Sequence, residues 1–310
     1  MTIGFRIEAV NISEHKGGVK TPVERIVLRE GHGIEGDAHA GPWHRQVSLL
    51  ASEQIAAFDG AGRPMKPGEF AENITTSGID LRQVAVLDRI TIGDVLIEIT
   101  QIGKECHSGC AIFQEVGACI MPKEGLFGRV LRGGEIRAGM AGTCEFRPLR
   151  IEIITLSDRA SMGIYEDRSG ARTEAIIREY FAGRRGHPNI VRHLIPDDAD
   201  RLMELLEAGH RRGADFILTT GSTGIGPRDI APEVTQRFCD RIIPGIMEFM
   251  RATFGSKKRT VYLTRGYAGL KGSTVVFNMP GSVRAVEEML PEWLTFWGHM
   301  ICMIHSIDAH

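Results

Sequence analysis

The sequence is poor in net charge, in lysine, in aromatic residues and in long apolar runs. Its 37 Lys and Arg against 39 Asp and Glu leave a formal net charge of -2. That excludes the strongly basic footprint of a general nucleic-acid binder. No apolar run reaches the ~18 residues that span a bilayer. The nearest, Trp293 to Ile307, is interrupted by Thr295, Gly298, His299 and His305. No charged-then-apolar leader opens the chain, because Ile3, Phe5 and Ile7 alternate with polar or small residues as in a strand. A cytoplasmic protein with no membrane and no nucleic-acid partner is expected. Six cysteines in 310 residues do not make the dense framework of a small secreted domain. Only 8 of the basic residues are Lys and 29 are Arg, whose planar forks suit bidentate phosphate recognition. Glycine is plentiful at 37 and supplies loops that approach ligands closely. With 43% apolar and 25% charged residues, the chain has an ordinary globular core, and its length suits about two domains.

The texture changes near residue 150. Up to that point, short alternating runs are separated by glycine: Phe5–Ile12, Glu24–Leu28, Gln46–Leu50, Ile90–Thr100 and Gly142–Phe146. Short helical stretches stand out only around Ser52–Phe58 and Ala111–Val116. Beyond it, strands and helices alternate: Ile151–Leu156, a helix to about Ala182, Ile190–Ile195, a helix over Asp197–Arg212, Phe216–Thr220, Pro232 in a helix first turn, and Thr274–Asn278 before a last helix. Alternating strands and helices imply a parallel sheet with right-handed crossovers. The expected fold class is therefore two domains: a mostly β, barrel-like one over residues 1–147, then a three-layer α/β domain with a mainly parallel sheet over 150–310. Phe146–Arg150, with Pro148, is the expected linker. The last apolar stretch, from Met289 to Ile304, reads as one long helix, part core and part subunit interface.

In an open α/β sheet, ligands sit beyond the carboxyl ends of the strands. Each such end here carries a polar cluster: Ser157-Asp158-Arg159, Pro196-Asp197-Asp198, the run Thr219 to Asp229, and Asn278-Met279-Pro280-Gly281-Ser282. The Gly221–Gly226 loop offers backbone N–H groups and hydroxyls to an anion. It lacks the Gly-Lys-Ser/Thr ending of a Walker loop and the spacing of a dinucleotide fingerprint. Asp197 and Asp229 follow different strands, and carboxylates beside a phosphate site suit Mg2+, which takes one or two carboxylates plus substrate phosphates. Read alone, Asp197 is also a fair helix N-cap and Asp229 a turn residue. Arg159 and Arg228 are candidate phosphate contacts.

These residues resemble a known family. Thr155-Leu156-Ser157-Asp158-Arg159-Ala160-Ser161, then Gly163, Tyr165, Asp167 and Ser169-Gly170, are similar to the opening of the MogA/MoaB-type molybdopterin adenylyltransferases. So are Leu194-Ile195-Pro196-Asp197, Leu218–Gly224, Arg228-Asp229, Pro232, Pro244-Gly245 and Asn278-Met279-Pro280-Gly281, in order over about 160 residues. Ser222 stands where the family usually has glycine. The resemblance implies adenylylation of molybdopterin by ATP with release of pyrophosphate, and a homotrimer. It assigns Asp197 and Asp229 to catalysis and Mg2+. It assigns Ser157, Asp158, Arg159, Gly221, Ser222, Thr223, Gly224 and Arg228 to pterin and phosphate, and Pro280, Gly281 and Ser282 to the nucleotide.

The first half has a second resemblance. Gly33-Ile34-Glu35-Gly36-Asp37-Ala38-His39, Arg45–Leu50, Pro67–Gly78 with its Glu72-Asn73-Ile74-Thr75-Thr76-x-Gly element, and Gly103-Lys104-Glu105-Cys106 look like a MOSC domain. The family's cysteine falls on Cys106. By resemblance, Arg45 and Asn73 contact a molybdenum cofactor. Lys104, His107 and nearby glycines would favour thiolate at Cys106. Cys110 and Cys119 would share a persulfide, ligate a metal or be packing residues, and their spacing matches no standard zinc knuckle. His39 and His44 are loop histidines, either metal ligands or hydrogen-bonded bystanders. The chain reads as a fusion for molybdenum cofactor synthesis, with a molybdate-insertion enzyme and molybdoenzymes as expected partners. The alternatives are a non-catalytic carrier and a molybdenum-dependent reductase centred on the first domain.

Overall fold

Period-two alternation up to Arg147 builds strands, and the mixed pattern beyond it builds a layered unit. The computed structural model describes residues 1–58, 63–104 and 118–307. Two compact units result: Met1–Arg147 with Arg185–His187 and Ile307, and Pro148–Arg184 with Pro188–Ser306.

The first unit contains β1 (Thr2–Ile12), β2 (Thr21–Val23), β3 (Arg25–Arg29), β4 (Gly33–Ile34), β5 (Val47–Ala51), β6 (Ile74–Ser77), β7 (Arg89–Ile92), β8 (Val95–Ile102), β9 (Leu126–Arg132), β10 (Gly134–Arg137) and β11 (Ala141–Glu145). Seven of these close a barrel in the order β1-β11-β7-β8-β9-β5-β6, with β6 pairing back to β1 and β2 added to β1. Within the barrel β5 and β6 are parallel, and the other pairings are antiparallel. A small sheet, β10-β3-β4, shares its core through Ile26, Leu28, Ile34 and Ile136. Val95, Ile97 and Ile99 are fully buried, each worth roughly 1.5–3 kcal/mol of transfer free energy. The run Ile90–Thr100 is not one strand. It is β7 and β8, folded back at Gly93, whose φ of +57° suits glycine. Two short helices, α1 (Ser52–Ala56) and α2 (Met121–Glu124), complete the described part. The stretch Ala111–Val116 lies outside the described residues.

The second unit contains β12 (Leu149–Leu156), β13 (Pro188–Ile195), β14 (Phe216–Thr220), β15 (Arg241–Ile242), β16 (Ala268–Lys271) and β17 (Thr274–Met279) in the order β13-β12-β14-β17-β16-β15. The first four are mutually parallel, and β16 and β15 are antiparallel at one edge. Leu149 and Arg150 already belong to β12. Its helices are α3 (Asp158–Ser161), α4 (Arg168–Ala182), α5 (Ala199–Arg211), α6 (Ala231–Phe238), α7 (Pro244–Gly255), α8 (Val283–Leu294) and α9 (Trp297–Ile304). Alternate strand residues feed two cores. Ile151, Ile153, Phe216, Leu218, Val275 and Phe277 pack with α4, α7, α8 and α9. Ile154, Leu156, Ile217 and Val276 pack with α5 and α6. This is the expected three-layer α/β arrangement.

The last apolar stretch departs from expectation. It breaks at Thr295 and Phe296, whose N–H groups bond three residues back, to Glu292 and Trp293, while the Thr295 hydroxyl donates to the Glu292 carbonyl at 2.6 Å. Its apolarity is mostly core. Trp293 stacks on Phe277 at 4.8 Å and Trp297 on Phe216 at 4.1 Å. Met303 is the exposed apolar side chain of the stretch. Among the described residues, no helix is long and apolar enough to cross a membrane.

Candidate functional site

β12 lies between β13 and β14, so the chain leaves it in one direction and, after β13, continues in the other. Such a switch of direction opens a crevice at the carboxyl ends of the strands. A cavity of about 980 Å³ lies there, and its wall includes Ser157, Asp158, Arg159, Asp197, Gly221, Ser222, Thr223, Gly224, Asp229, Pro280, Gly281 and Ser282. All the candidate residues of this half therefore meet, except Arg228, which reaches the wall through Asp158.

Gly221 is where three strand ends touch. Its φ is +102°, and a Cβ there would lie 2.3 Å from the Leu156 carbonyl oxygen. Its N–H donates to Met279 O at 3.0 Å, and a Cβ on Gly281 would lie 3.0 Å from the Gly221 Cα. Ser222 adopts φ +56°, a left-handed conformation that explains why glycine is usual there. Its hydroxyl stitches the loop, donating to Arg228 O at 3.2 Å and accepting from Ile230 N at 2.9 Å. Among the described residues, the N–H groups of Ser222, Thr223, Gly224 and Ile225 have no acceptor. A run of unpaired donors is what an anion-binding loop needs.

Asp229 closes this loop, since its carboxylate accepts from Gly226 N at 2.8 Å. The turn reading is thus right for one oxygen, and the other has no partner among the described residues. The N-cap reading of Asp197 fails, because Asp198 caps α5, accepting from Asp200 N at 3.0 Å and Arg201 N at 2.9 Å. Asp197 is left to exchange bonds with Asp158: its N–H donates to Asp158 Oδ1 at 3.0 Å, and Asp158 N–H donates to its Oδ2 at 3.3 Å. Arg228 grips Asp158 with two prongs, Nε to Oδ2 at 3.1 Å and a terminal nitrogen to Oδ1 at 2.7 Å. That guanidinium holds the Asp158 carboxyl below the usual carboxylate range. Ser157 caps α3, and its hydroxyl lies 2.8 Å from the Tyr165 hydroxyl; Arg159 sits over the Tyr165 ring at 5.3 Å. Ser282 caps α8, so a helix N-terminus faces the cavity.

Sequence reasoning missed one wall. Phe254, Lys258, Thr260, Val261, Leu263 and Thr264 come from α7 and the turn after it. No motif marks them beyond the basic triplet Lys257-Lys258-Arg259. It also missed Asp167 as a brace, which accepts from Thr155 Oγ1 at 2.9 Å, Gly170 N at 2.8 Å and Arg192 at 3.1 Å.

The first unit has its own cavity of about 210 Å³, lined among others by Lys20, His39, Trp43, Arg45, Asn73 and Lys104. Lys20 forms a buried ion pair with Asp37. Burial pushes the Lys20 ammonium down against the pull of Asp37. Burial also opposes ionisation of Asp37, but bonds from His39 and Lys20 outweigh it and hold that carboxyl far below its ordinary value. Arg45 lies over the Trp43 ring at 4.8 Å, and its buried Nε has no partner among the described residues. Asn73 is 1% exposed, and its amide is fully used: Oδ1 accepts from Ser48 N and Oγ, and Nδ2 donates to Asn11 O and Asp37. His44 bonds Gln101 at 2.9 Å, and His39 lies 3.4 Å from Lys20 Nζ. Among the described residues no group of three or more His, Cys, Asp or Glu is placed to hold a metal ion. Cys119 packs beside the Phe70 cluster. Cys106 and Cys110 lie outside the described residues.

Comparison with known proteins agrees with both halves. Residues 152–297 match the family profile described as "probable molybdopterin binding domain", and residues 35–141 match the MOSC domain. A molybdopterin adenylyltransferase of Helicobacter pylori is 33% identical over 143 residues, 46% of this chain and 80% of that protein. A molybdenum cofactor biosynthesis bifunctional protein of Chlorobaculum tepidum is 28% identical over 269 residues, 85% of this chain and 83% of that one. The solved structure of the molybdopterin biosynthesis enzyme MoaB of Thermus thermophilus shares 34% identity, with a TM-score of 0.46, covering 52% of this chain and 99% of that one. With a MOSC domain ahead of its α/β unit, the chain belongs to the MogA/MoaB family of molybdopterin adenylyltransferases.

Proposed function

We propose that the second unit joins AMP from ATP to the terminal phosphate of molybdopterin. A phosphate oxygen of molybdopterin forms a bond to the α-phosphorus, the bond from that phosphorus to the β-bridging oxygen breaks, and pyrophosphate leaves. The observation that carries this reading is the convergence of Asp197, Asp229, the unpaired N–H groups after Gly221 and the α8 N-terminus on one cavity. Nucleotidyl transfer depends mainly on alignment and charge neutralisation. The loop N–H groups and Ser157–Arg159 hold phosphate and pterin, and Pro280–Ser282 seat the nucleotide. Arg228 is supplied through Asp158, so a bound phosphate competes with that carboxylate for the fork. Among the described residues, Asp197 and Asp229 each keep one carboxylate oxygen without a partner. That fits Mg2+, which completes its shell with phosphate oxygens. The ion would neutralise polyphosphate charge.

The first unit, in this reading, binds the cofactor or a later form of it, with Arg45, Lys104 and Lys20 meeting its anionic part and Asn73 bracing the wall. Cys106 is the proposed sulfur-handling or cofactor-contacting thiol. Linkage raises the local concentration of a labile intermediate for the second site. In this reading the chain acts in the cytoplasm as a trimer, and the exposed Met303 and Phe249 are candidate interface residues. The test is molybdopterin-dependent pyrophosphate release from Mg-ATP by the full chain. Absence of release with both substrates present would leave the carrier reading in its place.

A further inference from the structure

One side chain outside the cavity wall controls the loop that forms it. Arg265 lies between the 3-10 turn Arg259–Leu263 and β16. Its backbone N–H donates to Thr223 O at 2.9 Å. Its guanidinium donates to Gly224 O at 2.6 Å and Asp229 O at 2.9 Å, and also pairs with Glu233 in the first turn of α6. Beside it, the Thr264 hydroxyl donates to Thr223 Oγ1 at 3.3 Å. One residue thus fastens both ends of the Thr223–Asp229 loop to the segment between that turn and β16.

Peptide planarity gives this a direction. In a trans peptide, a carbonyl turned one way turns the following N–H the other way. Thr223 O and Gly224 O both face Arg265, so the N–H groups of Gly224 and Ile225 face away from it. Gly224 and Ile225 line the cavity, whereas Arg265 does not. These N–H groups are among the four that lack protein acceptors. The bond to Asp229 O likewise fixes the backbone that carries the Asp229 carboxylate. Neutral carbonyls facing a guanidinium make charge-assisted bonds, stronger than ordinary amide pairs.

We propose that Arg265 is a positioning residue for adenylyl transfer: it turns the loop donors toward the substrate phosphate and sets the Asp229 carboxylate, without touching substrate. This rests on the adenylyltransferase reading. A lysine cannot replace the fork, because it brings a point charge and no planar pair of donors to two separate carbonyls.

The experiment uses the full chain and four variants: Arg265→Gln, Arg265→Lys, Asp229→Ala and Arg265→Gln combined with Asp229→Ala. Misplacement by about 1 Å costs up to about 100-fold in rate, so Arg265→Gln should lower kcat for pyrophosphate release by roughly 10- to 100-fold. Arg265→Lys should recover only a minor part. Because Arg265 acts through Asp229 and its loop, the double variant should be little worse than Asp229→Ala alone. A general loss of stability would instead multiply the two losses, and that result overturns the proposal. So does an Arg265→Gln variant within about threefold of wild type. A second measurement does not depend on turnover: amide hydrogen exchange at Gly226, Asp229 and Ile230, whose N–H groups are bonded within the loop, should rise about tenfold in ligand-free Arg265→Gln while that of β14 and β17 is unchanged. Unchanged loop exchange overturns the positioning role. A wild-type chain without pyrophosphate release refutes the adenylyltransferase reading instead, and the exchange data still decide whether Arg265 sets the loop.

Discussion

Gly221→Ala tests the geometry of the crossing between strand ends most directly. The change adds one methyl group. Any L-residue at φ +102° carries a conformational cost of roughly 1–2 kcal/mol. The added Cβ would also lie 2.3 Å from the Leu156 carbonyl oxygen. Backbone, not a flexible tip, must then give way, which adds about 1–3 kcal/mol of overpacking. Gly163 is the control. It has φ +74° with nothing within 4 Å of a Cβ, so Gly163→Ala carries the conformational cost alone. One kcal/mol shifts the midpoint of a unit this size by roughly 2–4 °C. Gly163→Ala should therefore melt roughly 2–8 °C lower than wild type and Gly221→Ala roughly 4–20 °C lower. Trp293 and Trp297 are 0% and 2% exposed in the second unit. In a Trp43→Phe background their emission follows that unit alone, avoiding a single transition fitted to two domains. The shift of Gly221 would also push on Gly281, so turnover should fall about 100-fold in variant protein that is still folded. Equal midpoints for the two variants would refute the close approach of Gly221 to Leu156.

Asp229→Ala should lower pyrophosphate release by about 100- to 1,000-fold with the fold intact; near-normal release from folded protein rejects the assignment. Burial would raise the Glu152 carboxyl, but His193 and Arg212 outweigh it and hold it below its ordinary 4.5. A lowered native value means that this contribution is complete above 4.5 and is lost as pH falls through the native value. Denaturation of wild type and Glu152→Gln at about pH 6 and about pH 3 should show the larger acid loss in wild type, and parallel losses would refute the pairing. Burial pushes the Cys144 and Cys239 thiols up to about 12, so both should resist iodoacetamide in native protein. Cys106 should label first and be slowed by molybdopterin, as mass-spectrometric mapping can read; labelling only after denaturation would make it a packing residue. Light scattering at micromolar concentration should give a trimer, and a monomer counts against it.

What the sequence made legible was local. Alternation of Val95, Ile97 and Ile99 announces a strand wherever the chain later takes it, because the period of side-chain direction is set by the backbone. Pro232 marks a helix start for the same kind of reason. The glycine-rich loop, Asp197 and Asp229 were legible because each follows a recognisable strand. Boundaries between like elements were not. The break at Thr295 is hidden inside an apolar run. There the turn is made by two residues whose neighbours are apolar on either side.

Partners distant in the chain were the least legible, and they change how the site works. Asp197 and Asp198 are equivalent by sequence; only the bonds to Asp200 and Arg201 show that the second is the cap and the first is free to face Asp158. Arg228 reads as a phosphate contact, yet its fork is occupied by Asp158, 70 residues away. Arg265 carries no motif and sits 36 residues beyond Asp229, whose carbonyl it holds. Each of these follows from the topology, which places the ends of β12, β13, β14 and β17 side by side. Charges gathered there satisfy one another when no substrate is present. In the proposed reading, binding a phosphate is then an exchange: Asp158 gives up Arg228, while the loop donors held by Arg265 are already unpaired among the described residues. The loop is the prepared part of this site and the Asp158–Arg228 pair the displaceable part. Removing Asp158 should accordingly free Arg228 for phosphate, whereas removing the Arg265 guanidinium should loosen the loop at Gly224 and Asp229, whose carbonyls it holds.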